Sequence, residues 1–444
     1  KRGKYTPDWW KLEGSQYGLL KTWTITEQGS FIDGILISNL TIDDLKLSEH
    51  HSVKVTFAVS ENAENVGGIN IFGKGFGKGM VNFIAKDSSW SVKFAPRIQI
   101  LSSTNWKYED NEFGTANTNF LIRRARLKFS GFVLSPKLKY KVELGLSNRD
   151  IAGASVYTGN APRIILDAVV KWNFYQNFVL WAGQTKLPGN RERVISSANL
   201  QLVDRSLLNS SFNIDRDLGI QLRHHINITD KFIVREIISI SQGEGRNVVT
   251  GNIGGYQYTG RIEFLPFGKF KNNGDYIGSS LERESKPKLA VGISYDFNNN
   301  AVRNKSNRGT YMVNDVGFFE TNINTLFVDA MLKYKGFSFM AEYSNRDADD
   351  PIAKNSDGSK TGVTVSEGYG VNLQAGYLFS KNWELTGRFS TIDMKEKEVS
   401  NQYTLGFSKY IFGQKLKVQS DISYLTIADI TNELLFRLQL EVHF

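Results

Sequence analysis

The chain has no cysteine, only 8 prolines and no long apolar run, and each shortage removes a class of protein. Without cysteine there are no disulfide staples and no thiolate metal sites, which disfavours a small cystine-rich secreted fold and is compatible with an envelope protein. No run of about 18 apolar residues offers a bilayer-crossing helix, and mean hydropathy is negative at −0.31. No charged-then-apolar leader opens at Lys1, so the alternatives are a soluble protein or a barrel whose signal peptide is already removed. What is abundant is 40 Gly, 18 Tyr and 29 Phe in 444 residues, a length that suggests two domains or one large closed structure. The formal charge of +9 calls for an anionic partner: nucleic acid, an anionic lipid surface or small anions.

From about Trp90 onward, segments of roughly ten residues alternate apolar and polar positions, as in Leu138, Tyr140, Val142, Leu144 and Leu146. Short turns (Ser135 to Lys137, Gln176-Asn177, Ile228 to Lys231, Lys335-Gly336, Ser380 to Asn382, Gly413 to Lys415) alternate with long polar loops. That sorting predicts an all-β, transmembrane antiparallel barrel of about 16 strands with long extracellular loops, because closure pairs every backbone amide in hydrocarbon. Aromatics at or beside the short turns (Trp172, Phe174, Phe178, Phe264, Phe267, Phe337, Phe379, Trp383, Tyr410) suit the headgroup level, and the alternation ending at Phe444 suits a closing strand. Pro96 fits badly inside the first strand and demands a bulge or an unpaired position. Residues 1–78 lack the loop asymmetry and read as a small β-rich domain with strands in 17–28, 31–42 and 52–60, ending in the glycine-rich linker 66–79. Residues 79–444 read as the barrel. An even strand number puts the first domain in the periplasm, where it would gate the pore or dock a periplasmic or envelope protein.

Catalytic and cofactor motifs are weak. "GINIFGKG" (68–75) nearly matches a phosphate-binding loop, but Gly75 replaces the hydroxyl residue and no helix follows. The pairs His50-His51 and His224-His225 put neighbouring rings on opposite faces of a strand and cannot chelate one metal. The acidic loop with Asp347, Asp349, Asp350 and Asp357 lacks EF-hand spacing and reads as a solvated loop, with calcium or a lipopolysaccharide bridge as the alternative. No nucleophile motif supports an enzyme, no cofactor is expected, and the basic residues form no nucleic-acid face.

Alternation sends Lys93, Arg97, Arg124, Arg126, Lys128, Lys139, Lys141, Arg163, Lys171, Arg223, Arg261, Arg388 and Arg437 into the lumen. It sends Glu143, Asp167, Glu263, Asp296, Asp329, Glu342, Glu384 and Glu441 there too. A lumen biased toward Arg and Lys favours anions.

The run "GQTKLPGNRERVISSANLQLVDRSLLNSSFNIDRDLGIQL" (183–222), with "FLIRRARLKFSG" and "FGKFKNNGDYIGSSLERESKPKLAVGISY", resembles the phosphate-selective porin O and P family. That resemblance covers about residues 80–444 and implies a sixteen-stranded outer-membrane barrel. It also implies a homotrimer surrounded by lipid and lipopolysaccharide, and a third loop folded into the pore. By position it implies anion contacts from Lys186, Arg191, Arg193, Arg205 and Arg216 on the loop and Arg124, Arg126 and Arg223 on the wall; Lys93 and Arg97 join them from the alternation. Between 186 and 217 five basic residues face four acidic ones (Glu192, Asp204, Asp215, Asp217), so the loop suits setting pore size better than choosing phosphate. The stretch 194–212 alternates poorly because its apolar residues Leu200, Leu202, Val203, Leu207, Leu208 and Phe212 would pack inward. The expected function is passive diffusion of small anions; the alternative is a closed barrel used as a scaffold in an envelope complex.

Overall fold

The computed structural model describes residues 75–444, apart from 110, 111, 396 and 429–430, and the backbone of three strands nearer the start. The chain divides into two compact units, Lys1–Ile69 and Asn70–Phe444. In the first, Trp23–Thr26, Gly29–Ile32 and Ile35–Ile37 form an antiparallel sheet in chain order; the first lies inside the expected segment 17–28 and the third inside 31–42, while the second starts between those segments, at Gly29. The third segment, His50-His51 and most of the glycine-rich stretch lie outside the described residues.

The second unit is a closed antiparallel barrel of 16 strands. They are β1 (Arg97–Glu109), β2 (Asn117–Val133), β3 (Ser135–Gly145), β4 (Ile165–Tyr175), β5 (Phe178–Lys186), β6 (Arg216–Asn227), β7 (Ile233–Ser241) and β8 (Gln257–Leu265). There follow β9 (Lys288–Ala301), β10 (Thr321–Tyr334), β11 (Phe337–Ala348), β12 (Gly368–Leu378), β13 (Trp383–Met394), β14 (Lys397–Phe412), β15 (Leu416–Ile427) and β16 (Thr431–His443). β16 closes on β1 in a register running from Asn432↔Tyr108 to His443↔Arg97.

Burial is inverted relative to a water-soluble protein. Ile220, Ile238, Tyr295, Leu373, Leu405 and Leu438 are exposed on the outside, while Gln257, Ser294, Asn298, Thr325, Asn372 and Ser390 are buried inside. Alternation with period 2 on a closed sheet produces this: one phase meets lipid and the other the lumen. Trp172, Phe174, Phe267, Phe337, Phe379 and Trp383 are exposed as the aromatic-belt expectation requires, but Tyr410 is not. It takes the inward phase of β14 and donates to Glu384 Oε2 at 2.5 Å.

Pro96 sits at a break. Before it, a hairpin of Val81–Ile84 and Ser91–Phe94 lies along the lower end of β2 through Lys93↔Ser130 and Phe94↔Phe129. After it, β1 pairs with both β16 and β2. The Pro96 carbonyl accepts from the Phe444 amide at 3.1 Å, so the missing N–H falls where the two ladders part.

Two connections enter the lumen. The third loop, 187–215, crosses it from β5. Its Ile195 and Leu200 join Phe270, Met331 and Met340 in one apolar cluster, and its Leu208, Phe212 and Ile214 join Phe327 and Met394 in another. The segment 266–287, between β8 and β9 on the otherwise short-turn side, enters from the opposite end and supplies Phe270. The two meet where the Gly278 amide donates to the Asn199 carbonyl at 2.8 Å.

Candidate functional site

The third loop is held in part through its backbone. Lys417 Nζ donates to the carbonyls of Ala198 (2.9 Å) and Leu200 (3.1 Å), Gln419 Nε2 to that of Gln201 (2.8 Å), Arg388 to that of Asp204 (2.8 Å), and Arg346 to that of Ser211 (3.0 Å). In return, the Val203 amide donates to Asp421 at 3.0 Å and the Glu192 amide to Glu342 at 2.7 Å. Room for the tip comes from two inward glycines. A Cβ on Gly376 would lie 2.0 Å from Gln201 Nε2, and one on Gly406 would lie 2.2 Å from Leu202 Cδ2. Arg261 and Arg388, expected to attract anions, are instead engaged with the loop: Arg261 donates to the Gly189 carbonyl at 3.0 Å.

One half of the lumen is filled and charge-balanced. Arg191, with no exposed surface, binds Asp329 at 2.6 Å and Glu263 at 3.1 Å. Arg261 bridges the same two carboxylates at 2.7 Å each, and Arg235 reaches Glu263 and Asp275. Three guanidinium groups thus meet three carboxylates, and Tyr276 from the second insert donates to Glu263 at 2.8 Å. The expectation that Arg191 contacts passing anions is therefore corrected: the helical turn Arg191–Val194 directs it behind the loop, into ion pairs.

The other half is open and basic. Between the third loop and a wall that includes β2, β4, β14 and β16 lies a cavity of about 420 Å³. Of the anticipated residues it brings together Arg124, Arg126, Lys186, Arg193, Arg205 and Arg216. It also holds Arg163 and Arg437, which alternation sends into the lumen, and adds Arg123, Arg149, Arg246 and Arg308, against the carboxylates Asp150, Asp204 and Asp215. Arg123 enters because a bulge in β2 leaves it without a partner: Gln99 pairs with Arg124 and Ile100 with Ile122. Both Arg123 and Arg124 are consequently buried on the lumen side and share Asp204. Arg193 pairs with Asp215, Arg126 with Asp150 at 2.7 Å, and Arg216 with Asp167 at 3.1 Å. Arg205 donates to the carbonyls of Glu192 and Ile195, both at 2.8 Å, and Lys186 to that of Arg193 at 2.7 Å. Among the described residues, Arg149, Arg163, Lys186, Arg205, Arg246 and Arg308 line the cavity without forming a carboxylate ion pair.

A second cavity, about 480 Å³, opens at the short-turn end and is bounded by Lys93, Lys128, Lys139, Lys141 and Lys171. Beside it, Trp181 lies between two cations, with Lys171 Nζ 3.6 Å and the Arg223 guanidinium 3.8 Å from its ring centre. Arg97 lines neither cavity; it binds Glu441 at 2.7 Å and Ser197 at 2.7 Å. At the outer end, the buried Glu244 of the loop 242–256 accepts from the amides of Ile253 and Gly254, both at 3.2 Å. Burial is the main cause that pushes its carboxyl up to about 7, and nearby Asp217 adds to it.

A closed sixteen-stranded barrel, apolar outside and polar within, with a loop folded into its bore, defines an outer-membrane porin. The family model described as phosphate-selective porin O and P matches residues 99–442, and the chain belongs to that family. The outer membrane channel DcaP of Acinetobacter baumannii shares the fold with a TM-score of 0.50 and 14% identity, over 82% of this chain and 99% of that one. An anion-selective porin from Comamonas acidovorans aligns with a TM-score of 0.48 and 12% identity, over 80% and 100%. A curated protein of uncharacterised function from Aquifex aeolicus (strain VF5) is 24% identical over 70% of this chain and 76% of its own length. Family and fold point to a channel rather than an enzyme.

Proposed function

We propose that the protein is a passive pore for small anions, drawn through the open half of the lumen by fixed positive charge. The observation that carries this reading is the basic chamber, where six cations make no carboxylate ion pair among the described residues. Arginine forks match oxyanions such as phosphate in two-point contacts, and a ring of such groups in a water-filled bore repels cations. The five lysines of the second cavity extend that field toward the short-turn end. The family resemblance adds a homotrimer in the outer membrane as the assembly. Planar-bilayer recording across a KCl gradient tests the reading: the reversal potential is expected to carry the sign of anion preference, and added phosphate to reduce the chloride current. A cation-signed potential would reject it. A silent barrel would favour the scaffold reading, which the two lumen inserts support.

A further inference from the structure

We propose that Glu143 and Asp167 tune selectivity as fixed counter-anions on Lys141, which a passing anion must displace; this rests on the anion-pore reading above. The two carboxylates stand directly opposite each other on β3 and β4 in register. Like charges in that position repel, so cations must hold them there. Lys141 lies 2.7 Å from Glu143 Oε2 and 2.6 Å from Asp167 Oδ2, Arg126 lies 3.1 Å from Glu143, and Arg216 lies 3.1 Å from Asp167. The belt joins the two basic cavities, because Arg126 and Arg216 line the first and Lys141 the second.

Of the five groups, Lys141 is the most open, with 24% of its side chain exposed against 2% for Asp167. It is therefore where an incoming anion exchanges with the resident carboxylates. Conduction needs binding strong enough to admit an ion and weak enough to release it. Two basic chambers in series would hold anions too firmly, and the carboxylates weaken the junction between them. They select by opposing what the chambers attract.

The experiment is bilayer recording of the full-length protein and two single variants, each checked for folding by heat-modifiable mobility on a gel. Glu143→Gln keeps a side-chain oxygen for Lys141 and is expected to raise the anion-to-cation permeability ratio. The expected rise is on the order of fivefold, the factor for one unit charge at about 4 Å in water. Lys141→Gln is expected to lower it. A merely structural role would not move the ratio in opposite directions. Should Glu143→Gln misfold, Asp167→Asn gives the same reading. An anion-selective wild type with an unchanged or lowered ratio in the carboxylate variant would overturn the assignment while leaving the pore intact. A cation-selective wild type would reject the pore reading itself.

Discussion

The two halves of the lumen use the same side chains to opposite ends. Around the buried Arg191, three guanidinium groups and three carboxylates cancel in one ion-pair cluster. Across the third loop, the basic chamber leaves cations in excess and in contact with space. Arginine number alone does not make a pore anion-selective; what counts is which guanidinium groups have spent their charge on a neighbour.

The sharpest way to break this contrast is to remove one arginine from each half. Arg191→Ala strands Glu263 and Asp329 without one of their partners, and is expected to cost about 3–5 kcal/mol in unfolding of the detergent-solubilised barrel. Arg149→Ala, on the chamber side and outside any carboxylate ion pair among the described residues, should change stability far less and lower anion preference in bilayers. If both variants lost only stability, the division of the lumen would fail.

The boundary between the halves can be shifted from the far wall. Gly406→Val places methyl groups against Leu202 and is expected to cost about 1–3 kcal/mol. The displaced loop tip should narrow the chamber, read as a lower single-channel conductance.

The smallest effect concerns the outer rim. Glu244 has its folded pKa raised to about 7, above its unfolded value, so the folded state binds the extra proton between the two. Stability of the loop 242–256 is accordingly fullest at low pH and falls as pH rises through about 7. Amide protection factors at Ile253 and Gly254 should decline over that range and become flat in Glu244→Gln.

The barrel was legible because period-2 alternation and the sorting of turns act over many strands, and one misplaced residue cannot undo them. Tyr410 shows the limit: its position beside a turn suggested the lipid belt, but its phase on β14 turns it inward. The site was less legible. Alternation placed Arg124 and Arg126 in the lumen but excluded Arg123, since a bulge has no signature in a regular period. Arg191 sat in the right loop and faced the wrong way, because a short helical turn decides its direction and its carboxylate partners lie 72 and 138 residues on. One signal was available: β10 carries large apolar residues on its inward phase as well, Ile323, Phe327 and Met331, and a lumen wall with buried apolar side chains must be covered by something.

The anchoring of the third loop also constrains the order of assembly. The cation holding Ala198 belongs to Lys417, 219 residues later, on the penultimate strand. Contacts so distant in sequence are made late, after the intervening chain has been ordered. The loop tip can be seated only as the final strands arrive, so the bore acquires its working width in the same event that seals the wall.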